Sequence, residues 1–171
     1  MGDFELLDIV DEDDRPSGKC TKVDKYANGF ITRNVAVFII DHEGKIIVTK
    51  RAENKRMFPG RYDVSACGNV VSRETYEGAA IREAKEELGI EGMELDFLGK
   101  IFNEFSAGHL KLRYFTGIFI GHYSGEIKLN NEISELKKLS VAEIEDQIKK
   151  EPEQFTPGFV NDFSNVKADL K

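Results

Sequence analysis

The chain reads as an α/β protein: a mixed β-sheet with helices on its faces, in one domain. Three observations lead there. Residues 31–40 (ITRNVAVFII) form a run rich in β-branched and aromatic residues, as in a central strand. Residues 75–89 show helical periodicity between a threonine and a glycine. Residues 95–105 and 110–121 are two more long strand-like runs around Ala107-Gly108. A length of 171 residues suits one domain with a sizeable core, and no repeat, low-complexity segment or linker divides it.

From the N-terminus, residues 4–10 alternate loosely and read as a strand. Residues 11–19 are charged, with Pro16 and Gly18, and read as a turn before a short return strand at 21–23. These pieces make residues 1–28 an N-terminal strand and turn extension. After strand 31–40, Asp41-His42-Glu43-Gly44 is a hairpin turn and residues 45–50 the return strand. Residues 51–61 are a cationic loop with Pro59-Gly60, and residues 63–71 hold short β pieces around Gly68. The helix at 75–89 has Thr75 as N-cap, Glu77 at its positive end and Gly89 as C-cap. Its apolar side is Ala80, Ile81, Ala84 and Leu88. A helix at 140–150 is capped by Ser140 with Glu143 completing a capping box, and another follows Pro157 within residues 155–170.

The net charge is −7, which argues against a general nucleic-acid or membrane-surface binder. A small phosphorylated substrate stays compatible, because a few local cations or a bound metal suffice for it. Two cysteines suggest no disulfide framework and a reducing compartment. The acidic N-terminus does not read as a signal peptide, Leu6 breaks a myristoylation pattern, and no apolar run spans a bilayer. The expectation is a cytoplasmic protein with a small-molecule partner and no membrane or nucleic-acid partner. A homodimer is compatible with the sequence.

Glu83, Glu86 and Glu87 are spaced i, i+3 and i+4, so they share one side of the 75–89 helix. Like charges one turn apart repel, and a hard divalent cation with oxygen ligands is the natural partner for such a cluster. For three glutamates alone, a solvated helix face with Lys85 among them is the simpler reading.

The surrounding spacing changes that balance. Gly68, five residues, Glu74, seven residues and then Arg82-Glu83-Ala84-Lys85-Glu86-Glu87-Leu88-Gly89-Ile90 resemble the Nudix box at every position, with Ala84 a small occupant of an aliphatic place. Residues 5–90 are similar to the branch of that superfamily that includes isopentenyl-diphosphate isomerase. The resemblance implies an α/β/α sandwich around a mixed sheet, with the box as a loop–helix–loop beside the active site. It implies hydrolysis of a diphosphate bond, in a nucleoside diphosphate derivative or nucleotide, with Mg²⁺ or Mn²⁺. By match to the box, Glu86 and Glu87 are the primary metal ligands, and Glu83 a further ligand or a group that helps deprotonate water. Arg82 holds a glutamate in place, Glu74 orients the loop, and Gly68 and Gly89 permit backbone turns.

Outside the box, Glu132 is the candidate general base and Glu104 a weaker one. Arg33, Lys50, Arg51 and Lys55 flank the expected cleft, and Arg51 is the leading phosphate contact of these, with Arg33, Lys55 and Gly68 as further substrate contacts. His42, His109 and His122 lack zinc spacing and read as solvated. Phe102, Phe105, Tyr114 and Phe115 read mostly as core. Cys67 precedes the box glycine, where the isomerases carry a catalytic cysteine. Those enzymes continue with a metal-binding histidine and use glutamates in the strand corresponding to 110–121. Here Asn69 and a carboxylate-free strand stand instead, so Cys67 reads as a small buried residue. The rival functions are an isopentenyl-diphosphate isomerase and a non-catalytic nucleotide-binding module.

Overall fold

The computed structural model describes residues 4–171, so the first three residues of the expected N-terminal extension lie outside it. The strands are β1 (Leu6–Val10), β2 (Pro16–Thr21), β3 (Ile31–Ile40), β4 (Ile46–Arg51), β5 (Tyr62–Asp63), β6 (Ala66–Asn69), β7 (Leu95–Ala107), β8 (Leu110–His122) and β9 (Ile133–Leu139). The helices are α1 (Lys22–Asn28), α2 (Tyr76–Leu88), α3 (Val141–Lys150) and α4 (Pro157–Val166).

The sheet is mixed because β3 runs parallel to β8, while β3–β6, β4–β9 and β7–β8 are antiparallel. Period-two alternation along β3 sorts its side chains. Ala36, Phe38 and Ile40 face one layer, with Phe159 and Phe163 of α4 and Ile144 of α3. Val35, Val37 and Ile39 face the other, with Ala79, Ala80, Ala84 and Leu88 of α2. The result is helix layers on both faces of the sheet, as the resemblance implies.

β3 meets β4 only near Ile40 and Ile46, and its first half pairs instead with β6. The two strands therefore diverge, and β6, which precedes α2, enters the sheet beside the opening. The β1–β2 hairpin docks through Leu6 O, which accepts from Ser72 N–H at 2.8 Å, and through Asp14. That carboxylate accepts from Arg33 Nε at 2.6 Å, Lys100 Nζ at 2.6 Å and Tyr76 OH at 3.0 Å.

Three expectations need correction. The segment expected to turn at 11–19 contains β2 from Pro16, and the return strand expected at 21–23 is the start of α1. Thr21 caps α1, with Asp24 completing a capping box, and Gly29 ends it at φ 64°. Second, Ile81 is 48% exposed rather than part of the apolar side of α2, whose inner side includes Ala79 instead. Third, none of Phe102, Phe105, Tyr114 and Phe115 is fully buried, and Phe102 lies open on the outer hairpin. A strand for which the sequence carries no clear signal, β9, spans Ile133–Leu139.

Candidate active site

Thr75 Oγ1 accepts from Gly78 N–H at 3.0 Å, and Gly89 closes the far end of α2 at φ 68°. The helix is thereby fixed at both ends, with its three glutamates along the edge that adjoins β6. One cleft is lined by Glu83, Glu86 and Glu87 of α2, by Glu132, and by the cations Arg51, Lys55 and Lys22. Sequence-selected residues from the box, the 51–61 loop and the turn before β9 are thus brought together.

Each carboxylate is held differently. Glu83 is 4% exposed and accepts from Arg82 Nη1 at 2.6 Å. Burial, and then the neighbouring Glu86 and Glu132, lift its carboxyl to about 7 against the pull of Arg82. Glu87 accepts from the Cys67 backbone N–H at 3.0 Å, and burial pushes its carboxyl well above the ordinary range. Glu86 is more open and lies 3.7 Å from Arg82 Nη1. Glu132 pairs with Lys55.

Arg82 is the brace of the box. Its Nε and Nη2 donate to the two Glu74 oxygens at 2.8 and 2.9 Å, and Nη2 also donates to the Asn69 carbonyl at 2.9 Å. Glu74 in turn accepts from Val71 N–H at 3.1 Å, so the loop before the helix is tied to the helix itself.

Gly68 has a reason other than the expected turn. It lies within strand β6 and its φ is not positive. A Cβ there would overlap the Glu83 carboxylate, so glycine is required for close approach and not for backbone freedom.

Two further candidates lie elsewhere. Arg33 points to the α2 face of the sheet, donates to Asp14, and does not line the cleft. Period-two alternation explains this: its neighbour Asn34 faces the cleft instead. Glu104 sits on the outer hairpin, bonded by Arg113 at 2.9 Å, and is not a cleft residue. Arg51 does reach the cleft, with Nε donating to the Met57 carbonyl at 2.9 Å and Nη1 3.5 Å from Asp63. Cys67 is half-buried on the cleft wall, not sealed in the core.

The cleft also contains Lys22, Tyr26, Asn34 and Asn69, and beneath it lie Lys25, Asp63 and Asp162, none of which was singled out as a ligand contact from the sequence. Thr21 with Asp24 at the third helical position, followed by Gly29, was the available signal for α1. Nothing local marks Asp162, which reaches the site only through the docking of α4.

Among the described residues, no three His, Cys, Asp or Glu side chains converge into a ready-made metal cage. The donor set nevertheless suits Mg²⁺ or Mn²⁺. Mg²⁺ takes one or two carboxylates and completes its shell with water and substrate phosphate. Glu83, Glu86 and Glu87 supply hard oxygens from one helix to the same cleft.

The NUDIX domain pattern matches residues 31–159. This chain belongs to the Nudix family. An uncharacterised Nudix hydrolase of Streptomyces coelicolor is 44% identical over 105 residues, covering 61% of this chain and 58% of that protein. The match thus spans under two thirds of that relative's length. Isopentenyl-diphosphate Delta-isomerase 2 of Photorhabdus laumondii is 28% identical over 91% of this chain and 88% of its own. A crystal structure of a Deinococcus radiodurans protein superposes with a TM-score of 0.70 at 28% identity, covering 85% of this chain and 90% of that one. The Nudix box, the mixed sheet with helices on both faces and the cleft carboxylates agree with this membership. No helix among the described residues is long and apolar enough to cross a membrane.

Proposed function

We propose that the protein is a Mg²⁺- or Mn²⁺-dependent Nudix hydrolase that cleaves the diphosphate bond of a small molecule, a nucleoside diphosphate derivative or nucleotide being the class best matched to the family. The carrying observation is one cleft lined by both four glutamates and three cations. That arrangement serves a substrate with a phosphate chain and an ion to neutralise it.

Glu86 and Glu87 would hold the metal, with Glu83 as a further ligand, and when bound the ion supplies neutralisation of phosphate oxygens. Water attacks one phosphorus, the bond to the bridging oxygen breaks, and two phosphorylated products leave. Glu132 takes the proton from the attacking water. Arg51 and Lys55 bind the phosphates, Arg82 keeps Glu83 oriented, and Gly68 leaves the space Glu83 occupies. Arg33 has no part in this scheme. The two free cysteines fit a cytoplasmic enzyme.

The test is a screen of nucleoside di- and triphosphates, nucleotide-sugars, dinucleoside polyphosphates and isopentenyl diphosphate with Mg²⁺ or Mn²⁺, with products identified. Hydrolysis that stops on chelation supports the reading, and no turnover of any diphosphate overturns it in favour of a binding module. The isomerase reading is favoured by the wider alignment and by Cys67 lying beside Asp63. Against it, the Asn69 side-chain oxygen is occupied by Lys25 Nζ at 2.8 Å, and burial raises the Cys67 thiol well above its ordinary value. Full activity of Cys67→Ala excludes the isomerase reading, whereas loss of activity with the fold intact favours it.

A further inference from the structure

The mixed sheet has one long open side. Strand β7 pairs with β8 and with no other strand among the described residues. It is 13 residues long, well above the usual length of about five or six. Helix α4 meets it through the Asn103 side chain and the β1–β2 hairpin through Lys100, and side chains stand off the faces of a sheet, not along its edge. Among the described residues, no loop or helix bonds the β7 backbone. The outward N–H and C=O groups of such a strand are a template for another strand. The register shift that interrupts β7 lies between Phe97 and Gly99, at one end, and leaves residues 99–107 regular.

The side chains along that regular stretch are ordered about Phe102. Alternation puts Lys100, Phe102 and Glu104 on one face. Phe102 is 41% exposed, and its ring lies 5.2 Å from that of Phe115 in a shallow hollow completed by Glu12 and Arg113. Lys100 stands two residues before this phenylalanine and Glu104 two after it. On the opposite face Gly99 stands three residues before and Phe105 three after. Apart from its chain neighbours, no atom lies within 4 Å of the place a Gly99 Cβ would take.

We propose that β7 is the interface of a homodimer, in which it pairs antiparallel with β7 of a second copy about a two-fold axis at Phe102 and continues the sheet across both subunits. A two-fold interface must be self-complementary. About Phe102, each Lys100 stands directly opposite Glu104 of the partner subunit, so two opposite-charge pairs form at once. An axis at residue 100 or 104 would instead set like charges against each other. Lys100 donates to Asp14 at 2.6 Å and Glu104 accepts from Arg113 Nε at 2.9 Å, which steadies both side chains. The ammonium keeps further hydrogens and the carboxylate further lone pairs for the partner. Phe102 meets its own copy on the axis with a Phe115 ring beside each, so the exposed aromatic surface of both subunits is covered. Phe105 of the partner subunit comes across from Gly99, where an aromatic ring shields bare backbone. A foreign strand would also find the open edge, but the second copy is the partner that brings the matching order of charge, ring and glycine.

The test is light scattering of the full chain at protein concentrations up to about 100 μM, together with disulfide trapping. A dimer is expected. Phe102→Cys is expected to crosslink under mild oxidation, since directly opposed Cα atoms of an antiparallel pair lie about 4.5–5.5 Å apart, within disulfide reach. Phe97→Cys replaces a residue that is 54% exposed, yet it is expected not to crosslink, because its place five residues from the axis sets the two copies about 30 Å apart. The unsubstituted chain, with Cys20 buried and Cys67 half-buried, is the blank. Phe102→Lys sets like charges on the axis and is expected to give a monomer with an unchanged circular dichroism spectrum. Glu104→Lys, as a second variant, is expected to weaken association by about tenfold or more, because both pairs turn repulsive. A monomer at every concentration, a dimer that survives both substitutions, or trapping at residue 97 as efficient as at residue 102 overturns the proposal. The first of these would leave Lys100 and Glu104 as charges that guard a free edge.

Discussion

Lys55 and Glu132 form an ion pair at the cleft, joining the loop after β4 to the turn before β9. The Ala52 N–H donates to the Glu132 carbonyl at 2.9 Å, so backbone and side chain both tie the two segments. Burial pushes the Glu132 carboxyl up, but the Lys55 hydrogen bond and charge outweigh it and keep it below the ordinary range. Glu132→Gln is expected to lower kcat by about 10²–10⁴ with the melting temperature little changed, the loss typical of a general base. Lys55→Met removes the group that depresses the carboxyl. The acid limb of its kcat/KM profile is expected to move to higher pH and its KM to rise, which a pH series of initial rates reads directly.

Gly68→Ala is expected to force the Glu83 carboxylate from its place against Arg82, because the new methyl group and that carboxylate occupy the same space. Overpacking of this kind costs about 1–3 kcal/mol. A fall in kcat alongside a lower denaturant midpoint is the expected pair of results, and wild-type kcat would remove the spatial role assigned to this glycine.

Glu86→Gln and Glu87→Gln are expected to lower turnover by several orders of magnitude while leaving the metal-free melting temperature unchanged or higher. Glu87 is the sharper case. Its carboxylate is disfavoured by burial and then by Glu83, and glutamine keeps an oxygen to accept from the Cys67 N–H. Unchanged kcat would remove the metal-ligand assignment.

Lys25 and Asp162 are expected to shape stability in different pH windows. Burial, and then the charge of Lys22, lowers Lys25 from 10.5 to about 7. The unfolded chain therefore binds the extra proton between those values, and stability from this group is present above 10.5 and lost as pH falls through 7. Asp162 is raised from 3.8 to about 7, so its contribution is present below 3.8 and lost as pH rises through 7. Denaturant melts across pH should show Lys25→Met flattening the alkaline window and Asp162→Asn the acid one.

The parts of this molecule that were legible beforehand are those whose signals are local. β3 spans the ten residues expected from its β-branched run, and α2 and α3 begin at the threonine and serine chosen as caps. The carboxylates of the box were legible because helical spacing puts them on one side and the surrounding box spacing separates them from an ordinary solvated face. What escaped depends on partners remote in sequence. Arg33 was assigned to the cleft from its neighbourhood, but strand alternation turns it toward Asp14, nineteen residues earlier. Ile81 looks apolar enough to be buried, yet the α2 surface that meets the sheet centres on alanines. β9 has Ile133, Leu136 and Leu139 three apart, a helix-like spacing that pairing with β4 overrides. The crevice beneath the cleft was invisible because Lys25 and Asp162 come to line one space only after α1 and α4 have packed onto the sheet.

That last circumstance divides the molecule in an informative way. The stretch shared with the NUDIX pattern, residues 31–159, holds every glutamate and cation proposed for bond cleavage, whereas Lys22, Lys25, Tyr26 and Asp162 fall just outside it. The division is partial, because Asp63 and Tyr114 of the crevice lie within the matched stretch. Helix α1 thus precedes the family pattern and α4 straddles its end, so both borders of the matched stretch are built into the walls around the cleft.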